Sequence, residues 1–457
     1  MADSPDATEW LRRLSAGEID APTLVRTHLD QIEASQPRLN AATQILREQA
    51  LEQARTPRPG PLSGLPITLK ETYALAGEQV TIGSARMPPI ACAEDAPVVQ
   101  KLRAAGAIVV ARSNVPEFVM NAETNNLRFS RSNNPIDPRR TCGGSSGGEG
   151  ALVGSGASPL GFGTDILGSI RIPAAFCGVV GFRPHSGAID KRGVWPVSGP
   201  FFESWNGLGP LARSVRDARL AYNVMAEQPL PAPATVAGLR VLQPRGFGLR
   251  YADACIERAY AAAGQALAAA GMRPEQPRFD DVPRLFGDIP RLVTGEMLPL
   301  WTQWLSRPGA RFSPLAEGLR QLLRRPTVDP AFFQWFALAP VMRPRRRGRL
   351  AQIVARYEAA RARYHALLGA DGILLLPTLG LLAPRHGRMN RATLRPGLNG
   401  LVTGETFVNY CNLSAISVPA HRHADPATGL KPGIMLACAP GAEARLLDAA
   451  AALEAAI

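Results

Sequence analysis

The chain has 457 residues, of which 46% are hydrophobic, and carries a formal net charge of +13 at pH 7. This length allows about two or three domains or one large α/β unit, and the hydrophobic fraction can fill a sizeable core. The basic charge suits a nucleic acid partner, but the sequence has no recognised nucleic acid motif, so we expect no such partner.

The N-terminal sequence MADSPDATEWLRRL has no apolar segment typical of a signal peptide, and no run of about 18 apolar residues follows it. We therefore expect a soluble cytoplasmic protein. The six cysteines show neither C-x-x-C nor zinc-type spacing, which predicts reduced structural thiols and no metal site.

Local patterns predict helices and strands that alternate along the chain. Residues 20 to 35 have the periodicity of an amphipathic helix, and residues 97 to 111 indicate a helix followed by a strand after a glycine break. The Ala/Pro-rich stretch 227 to 237 predicts a loop, and Ala254 to Ala270 an Ala-rich helix. Such alternation favours a sheet layered by helices.

A strand is also predicted around Leu65, Ile67 and Leu69, which alternate along one face and place Lys70 at or near the strand end on the other face. A lone lysine here is most often an ordinary surface residue. As a general base it must be neutral, and lowering its pKa from about 10.4 to about 7 to 8 costs roughly 4 kcal/mol. Burial among hydroxyls can supply this, and the adjacent Glu71 points to the opposite face.

Two Ser-Gly clusters lie 24 positions apart in the segment from Gly143 to Arg171, GGSSGGEGALVGSGASPLGFGTDILGSIR. Glycine lets main-chain N–H groups approach developing negative charge, so the segment predicts a chemical site built from two loops. Interleaved apolar residues argue against a linker, and phosphate binding lacks its usual motif. A nucleophile elbow at residues 143 to 147 is an alternative, but residues 131 to 142 before it are loop-like rather than a strand.

Together these residues resemble the amidase signature hydrolases, which use a Ser-cisSer-Lys triad. The resemblance places the lysine at Lys70 in GLPITLKE, the cis-serine at Ser145 in GGSSGG and the nucleophile at Ser169 in GTDILGSIR. It extends over nearly the whole chain through the segments NVPEF, AAFCGVVGFRP, GPLARSVRD, LLLPTLG and NYCNLSAISVPA. Within the family, the chain looks most similar to the fatty acid amide hydrolase branch.

The resemblance implies an α/β amidase signature fold, with a large mixed twisted sheet covered by helices on both faces and a variable helical insert. We expect one domain over residues 1–457 and no cofactor. It comprises N-terminal helices (1–60), the catalytic core (61–225), a variable helical region that lines the substrate pocket (226–370) and the C-terminal part of the core (371–457).

The implied mechanism begins when neutral Lys70 withdraws a proton from Ser169 through the Ser145 hydroxyl, so that Ser169 Oγ attacks a carbonyl to form an acyl-enzyme. A serine suits the middle of this relay because a hydroxyl both donates and accepts. The expected oxyanion hole consists of the backbone N–H groups of Ile166, Leu167, Gly168 and Ser169.

Leu167 is a departure, since the family usually has glycine at this position; its side chain adds bulk and restricts the backbone of the oxyanion hole. The resemblance further implies that Asp165 and Arg171 support the site without touching substrate, and that Ser146 hydrogen-bonds Lys70. Thr164 matches the family motif less closely, and the resemblance gives it no specific role.

The region 280 to 350 interleaves prolines and arginines with aromatic residues, and residues 320 to 350 hold eight arginines against one aspartate, a net +7. The expected pocket is lined from this region and by Val119, Met120 and Phe336. Two interpretations of 320 to 350 stay open: peripheral contact with an anionic membrane, or aromatics packed over the site with solvated arginines.

The predicted activity is cleavage of apolar amides, with aryl amides, carbamates (urethanes) and esters open to the same attack. The expected partner is therefore a small apolar amide or carbamate, and a homodimer is an open alternative to a monomer. Two rival functions remain: a glutamine-dependent amidotransferase component, and a non-catalytic binding protein on the same scaffold.

Overall fold

A computed structural model describes residues 4–196, 199–307, 309–343, 347–389 and 399–457. Its strands are β1 (Ala42–Ile45), β2 (Pro66–Lys70), β3 (Gln79–Val80), β4 (Ile90–Ala91), β5 (Ile108–Ser113), β6 (Leu160–Asp165), β7 (Val180–Arg183), β8 (Gly207–Ala212), β9 (Arg240–Leu242), β10 (Arg273–Glu275), β11 (Gly372–Pro377), β12 (Ser414–Pro419) and β13 (Gly433–Cys438).

The α-helices lie in the segments between and around these strands. They are α1 (Ala7–Ser15), α2 (Ala21–Leu39), α3 (Arg47–Arg55), α4 (Pro97–Ala104), α5 (Gly147–Gly154), α6 (Arg171–Cys177), α7 (Pro200–Glu203), α8 (Val215–Met225), α9 (Ala254–Ala269), α10 (Val282–Phe286), α11 (Ile289–Leu305), α12 (Pro314–Leu322), α13 (Pro330–Met342), α14 (Arg347–Leu368), α15 (Thr403–Tyr410) and α16 (Glu443–Ala456). Short 3₁₀ helices occupy Glu117–Val119, Asn399–Leu401 and His421–His423.

Eleven strands of the described chain form one sheet in the order β1-β5-β2-β6-β8-β7-β12-β13-β11-β9-β10. The sheet is mixed, because β2 runs parallel to β5 and β6 whereas β8 runs antiparallel to β6. Every residue of β2, β5 and β6 is buried, as expected of central strands that are covered on both faces. The predicted α/β class with a large mixed sheet is confirmed.

At β5, the two faces of the sheet belong to separate hydrophobic cores. On β5, Ile108 and Val110 pack into a core shared with α2, whereas Val109 between them joins the larger core. Successive side chains of a strand point to opposite faces, so this split shows that apolar groups cover both sides.

The local predictions agree with these elements. The amphipathic stretch 20 to 35 lies in α2, whose first turn is capped by the Asp20 side chain. Residues 97 to 111 form α4 and most of β5, and Ala254–Ala269 forms α9. Residues 227 to 237 contain no helix or strand. All six cysteines are buried free thiols, and none of the described helices is long and apolar enough to cross a bilayer.

Helices α11 to α13 pack their aromatic side chains inward. Trp301 and Phe332 are fully buried and meet edge to face, with ring centroids 5.0 Å apart. Phe332 also stacks on Phe118 of the core, with a centroid distance of 4.9 Å. These ring contacts pack α11 and α13 against the short helix Glu117–Val119, so the two aromatic side chains do not contribute to an exposed surface.

Candidate active site

Lys70 is the last residue of β2, and its side chain is completely buried. Its Nζ donates hydrogen bonds to Ser145 Oγ at 2.7 Å and to Thr164 Oγ1 at 2.8 Å. Burial lowers the pKa of Lys70 to about 7, although the charges of Asp165 and Glu149 oppose this by favouring the ammonium form. A large fraction of Lys70 is therefore neutral near pH 7 and able to accept a proton.

The carboxyl groups of Glu71 and Glu149 form no ion pair with Lys70. The Glu71 side chain turns away and accepts hydrogen bonds from the backbone N–H and the hydroxyl of Thr81, as the strand geometry predicts. Glu149, on α5, is fully buried, and this burial raises its pKa to about 8. At neutral pH most of Glu149 is thus uncharged, and Asp165 is the main carboxylate whose charge favours the ammonium form of Lys70.

Ser145 lies in the loop before α5, and the peptide bond that joins it to Gly144 is cis. A Cβ at Gly144 would come within 2.5 Å of the Asn121 carbonyl oxygen, so this close approach requires glycine. Residues 131 to 142 before the loop contain two isolated bridges, Asn133 to Thr141 and Arg140 to Arg385, and no strand leads into Ser145. The nucleophile elbow therefore has no structural support.

The predicted hydrogen bond between Ser146 and Lys70 is wrong. The Ser146 hydroxyl instead donates to the Thr164 carbonyl oxygen at 3.3 Å, and its backbone N–H donates to the Ser169 carbonyl oxygen at 3.0 Å. Lys70 donates a hydrogen bond to the Thr164 hydroxyl instead of to Ser146, because β2 and β6 are neighbouring parallel strands. Ser146 thus links the loop before α5 to β6 and to the turn that follows it, and it forms no hydrogen bond with the Lys70 amine.

Ser169 lies in the turn that connects β6 to α6 and borders the same cavity as Ser145. In the described residues its hydroxyl has no hydrogen-bond partner, which leaves it available to a substrate. Gly168 before it has a φ of +98°, a left-handed conformation that favours glycine. The turn thus presents the Ser169 side chain to the cavity.

One predicted member of the oxyanion hole has another partner. The Gly168 N–H donates to Asp165 Oδ1 at 2.9 Å, so this group is not free to bind an oxyanion. The N–H groups of Ile166, Leu167 and Ser169 have no acceptor among the described residues. These three groups therefore remain as the candidate donors.

Asp165 and Arg171 form a fully buried, bidentate ion pair, with Nε–Oδ2 and Nη2–Oδ1 distances of 3.0 Å. Arg171 Nη2 also donates to Asn409 Oδ1 at 2.6 Å. Burial raises the pKa of Asp165, but the charge and hydrogen bonds of Arg171 outweigh it and hold this pKa well below its usual range. The pair holds the turn of residues 166–169, called the oxyanion turn below, through bonds from Asp165 to the Gly168 and Ile170 N–H groups, and neither residue lines the cavity.

Three groups around the site were not singled out from the sequence: Glu149, Glu405 and Asn409. Glu149 follows the Ser-Gly cluster as the sole acid in an otherwise apolar helix, and Asn409 begins the NYCNLSAISVPA segment. These two features are visible in the sequence. They do not show which residues the Glu149 and Asn409 side chains contact in the fold.

A cavity of about 170 Å³ opens over Ser145 and Ser169. The predicted pocket residues Val119 and Met120 line it, but Phe336 does not. Phe336 packs with Phe332 and Phe312 inside the helical region, and Trp335 beside it faces the cavity instead. The other lining residues are mostly apolar: Asn121, Ala122, Gly144, Thr164, Ile166, Leu167, Ile172, Phe286, Ile289, Pro290, Gln334, Met342, Met389, Val402, Glu405 and Thr406.

The Amidase family model matches residues 23–447 of the chain. A glutamyl-tRNA(Gln) amidotransferase component from Carboxydothermus hydrogenoformans is 39% identical to the chain over 228 residues, which are 48% of this chain and 46% of that protein. The aligned part thus spans about half the length of the curated relatives that it matches.

Solved structures extend the likeness to the whole chain. A 6-aminohexanoate cyclic dimer hydrolase in complex with substrate has a TM-score of 0.81 and 25% identity, over 99% of this chain and 97% of that one. A fatty acid amide hydrolase shares the fold at a TM-score of 0.79 and 20% identity, over 98% and 84% of the two chains. The chain therefore belongs to the Amidase family, and the resemblance to the amidase signature family that the sequence predicted is confirmed.

Proposed function

We propose that the protein is a serine hydrolase that cleaves the C–N bond of apolar amides through an acyl-enzyme on Ser169. The observation that carries this proposal is the buried Lys70 amine, with its lowered pKa and its 2.7 Å hydrogen bond to Ser145 beside the cavity. In the first step, Lys70 takes the Ser145 proton while Ser145 takes the proton of Ser169. Ser169 Oγ then bonds to the substrate carbonyl carbon.

The remaining steps reuse the same three groups. The negative charge on the carbonyl oxygen is held by the N–H groups of the oxyanion turn, where each donor contributes about 2.7 to 4 kcal/mol. As the C–N bond breaks, the proton held by Lys70 returns through Ser145 to the leaving nitrogen. Water then attacks the acyl ester by the same relay and releases the carboxylic acid and free Ser169.

The apolar lining of the cavity supports an apolar substrate. Ile172, Phe286, Ile289 and Val402 surround the serines and offer no hydrogen bonds to a polar side chain. Aryl amides, carbamates and esters fall within the same proposal, because attack depends on the carbonyl carbon more than on the leaving group.

The proposal predicts that Trp335→Ala changes the acyl preference of the enzyme. Trp335 lines the cavity, and its removal makes room for additional methylene groups. The ratio of kcat/KM for long and short acyl p-nitroanilides should rise about 10-fold or more, the typical discrimination for a methylene group in an apolar pocket. Phe333→Ala on the same helix is the control, because Phe333 does not line the cavity. An unchanged ratio in Trp335→Ala, or an equal change in both variants, would refute this pocket.

The chief alternative is a component of a glutamine-dependent amidotransferase, the kind of enzyme to which one curated relative belongs. Such a protein needs a polar pocket for glutamine, whereas the cavity here is mostly apolar. Transfer of ammonia to a second substrate in the presence of a partner protein would favour the alternative. The rival non-catalytic binding protein would release no p-nitroaniline from any anilide, and Ser169→Ala would leave its binding intact.

We further propose that α12 and the turn after it contact an anionic membrane. The aromatics of α13 are buried or half-buried, but four leucines in and just after α12 are exposed, with Leu315 at 89% and Leu322 at 82%. Exposed arginines flank them, and each basic residue near an anionic bilayer contributes about 1 kcal/mol. The exposed side chains of this surface are Leu315, Leu319, Arg320, Leu322, Leu323, Arg324 and Arg325.

Sedimentation with lipid vesicles tests this contact. We expect the protein to pellet with phosphatidylcholine vesicles that contain phosphatidylserine and to stay in solution with pure phosphatidylcholine. A Leu315→Ser/Leu322→Ser variant should stay in solution with both, whereas Leu127→Ser, at an exposed leucine outside α12, should pellet like the wild type. Equal pelleting of the wild type and the α12 variant would argue against the contact.

A further inference from the structure

Glu117, at the start of the short helix Glu117–Val119, is a buried carboxyl group that the catalytic steps do not use. Its Oε2 accepts a hydrogen bond from the backbone N–H of Asp329 at 2.5 Å, and its Oε1 is bonded to the Ser84 hydroxyl at 2.5 Å. Asp329 is the N-cap of α13, where its own side chain accepts from the N–H of Ala331 at 2.9 Å. One carboxyl group therefore connects the short helix to the first turn of α13.

Both elements that Glu117 connects form walls of the cavity over the serines. Val119 and Met120 follow Glu117 directly in the chain and line the cavity, and Trp335 lines it from α13. The spacing of these walls limits the width of an acyl group, because a close-packed wall admits an additional methyl group only if its side chains shift.

The backbone that carries Val119 depends on contacts from outside the short helix. Phe118 and Val119 have φ values of +52° and +51°, a left-handed conformation that is unfavourable for any side chain and most of all for a β-branched one. Such a conformation persists only where the surrounding structure enforces it. From α13, Phe332 stacks on the Phe118 ring at 4.9 Å, and Asp329 bonds the Glu117 carboxyl.

This connection forms whether Glu117 is charged or neutral. Burial raises the pKa of Glu117 to about 7 against the opposing hydrogen bonds of Ser84 and Asp329, and the charges of Asp329 and Glu317 add to the rise. Oε2 meets an N–H donor, so a proton on the carboxyl group belongs on Oε1, where it is donated to the Ser84 hydroxyl. The connection thus requires the length of this side chain more than its charge.

We propose that Glu117 is a positioning residue for substrate selection, which holds Val119 and Met120 at a fixed spacing from α13 and so favours unbranched over branched acyl groups. This inference rests on the proposed hydrolase function and narrows its substrate class. Glu117 does not line the cavity, so it acts through the wall residues and not on the reacting atoms.

The p-nitroanilides of heptanoic acid and 4,4-dimethylpentanoic acid test the proposal, because these acids are isomers whose chains differ in width far from the carbonyl. In the wild type we expect kcat/KM to favour the heptanoyl substrate by about 10-fold or more. Glu117→Asp keeps the carboxyl group but is too short to bond Ser84 and Asp329 together, and it should bring the ratio close to one. Glu117→Gln keeps the length, an acceptor for the Asp329 N–H and a donor for Ser84, and it should retain the ratio.

Glu454→Asp is the matched control. Glu454 is a half-buried glutamate whose pKa burial also raises to about 7, and it accepts the Val215 N–H at the start of α8 at 3.0 Å. It does not line the cavity, so its shortening should leave the ratio unchanged. An equal change in both aspartate variants would assign the effect to general loosening of the fold and overturn the positioning role.

The remaining outcomes separate this inference from the proposed function. Equal cleavage of the two isomers by the wild type, or an unchanged ratio in Glu117→Asp, would overturn the role of Glu117 and leave the hydrolase intact. A ratio that is lost in Glu117→Gln as well would show that charge rather than length is required and would also overturn it. If neither these nor other anilides are cleaved, the proposed function fails, and the inference fails with it.

Discussion

Replacement of Lys70 by methionine is expected to slow acylation of Ser169 by about 10²- to 10⁴-fold, the usual contribution of a positioned general base. Methionine keeps the length and burial of the side chain but cannot accept a proton. Single-turnover release of p-nitroaniline measures the effect. Lys101→Met is the matched control, because Lys101 is a partly exposed lysine that pairs with Glu227 away from the site. A rate for Lys70→Met within a few-fold of the control would contradict the base.

The pH profile provides an independent measure of the same residue. The pKa of Lys70 is lowered to about 7, so the amine is mostly protonated below this pH and mostly neutral above it. The rate of acylation in the wild type should therefore rise as the pH passes about 7, and this rise should be missing in Lys70→Met. A wild-type rate that falls over the same range would mean that the charged amine is the active form.

The second large effect is expected on stability. Arg171→Met removes the cation of a completely buried ion pair and leaves Asp165 and Glu405 as carboxyl groups without their principal partner. Breaking such a pair from one side costs about 3 to 5 kcal/mol, because a buried charge is left uncompensated. The free energy of unfolding in urea measures this loss.

The control for this variant is Arg192→Met. Arg192 forms an ion pair with Asp190 of similar geometry, but its side chain is 81% exposed. Exposed pairs contribute about 0 to 1 kcal/mol, so this variant should unfold close to the wild type. Similar losses in both variants would show that the buried pair has no special role in holding the oxyanion turn.

The sequence predicted the parts of the site that depend on local pattern. The alternation of Leu65, Ile67 and Leu69 predicted a strand with Lys70 at its end. Strand geometry also predicted that the Glu71 side chain points away from Lys70, and in the structure it binds Thr81 instead. The resemblance to the amidase signature family then identified Ser145 and Ser169. In the structure both serines line one cavity, and Lys70 is hydrogen-bonded to Ser145.

The errors arose where packing between distant segments decides the contact. Lys70 donates a hydrogen bond to the hydroxyl of Thr164, 94 residues away in sequence, and not to Ser146. The register of β2 against β6 determines which hydroxyl lies within reach of the amine. Trp335 rather than Phe336 faces the cavity because a shift of one residue turns a helix by about 100°. Glu405 comes from α15, and its position against Gly168 exists only in the folded chain.

Labelling with a fluorophosphonate, followed by mass spectrometric mapping of the modified residue, tests whether Ser169 is the activated nucleophile. Such a probe reacts with an activated serine whatever the natural substrate. We expect a single adduct on Ser169 in the wild type, strongly reduced in Lys70→Met and kept in Lys101→Met. An adduct on Ser145, an adduct that is unaffected by the loss of Lys70, or no adduct would contradict the assignment of Ser169 as a nucleophile activated by Lys70.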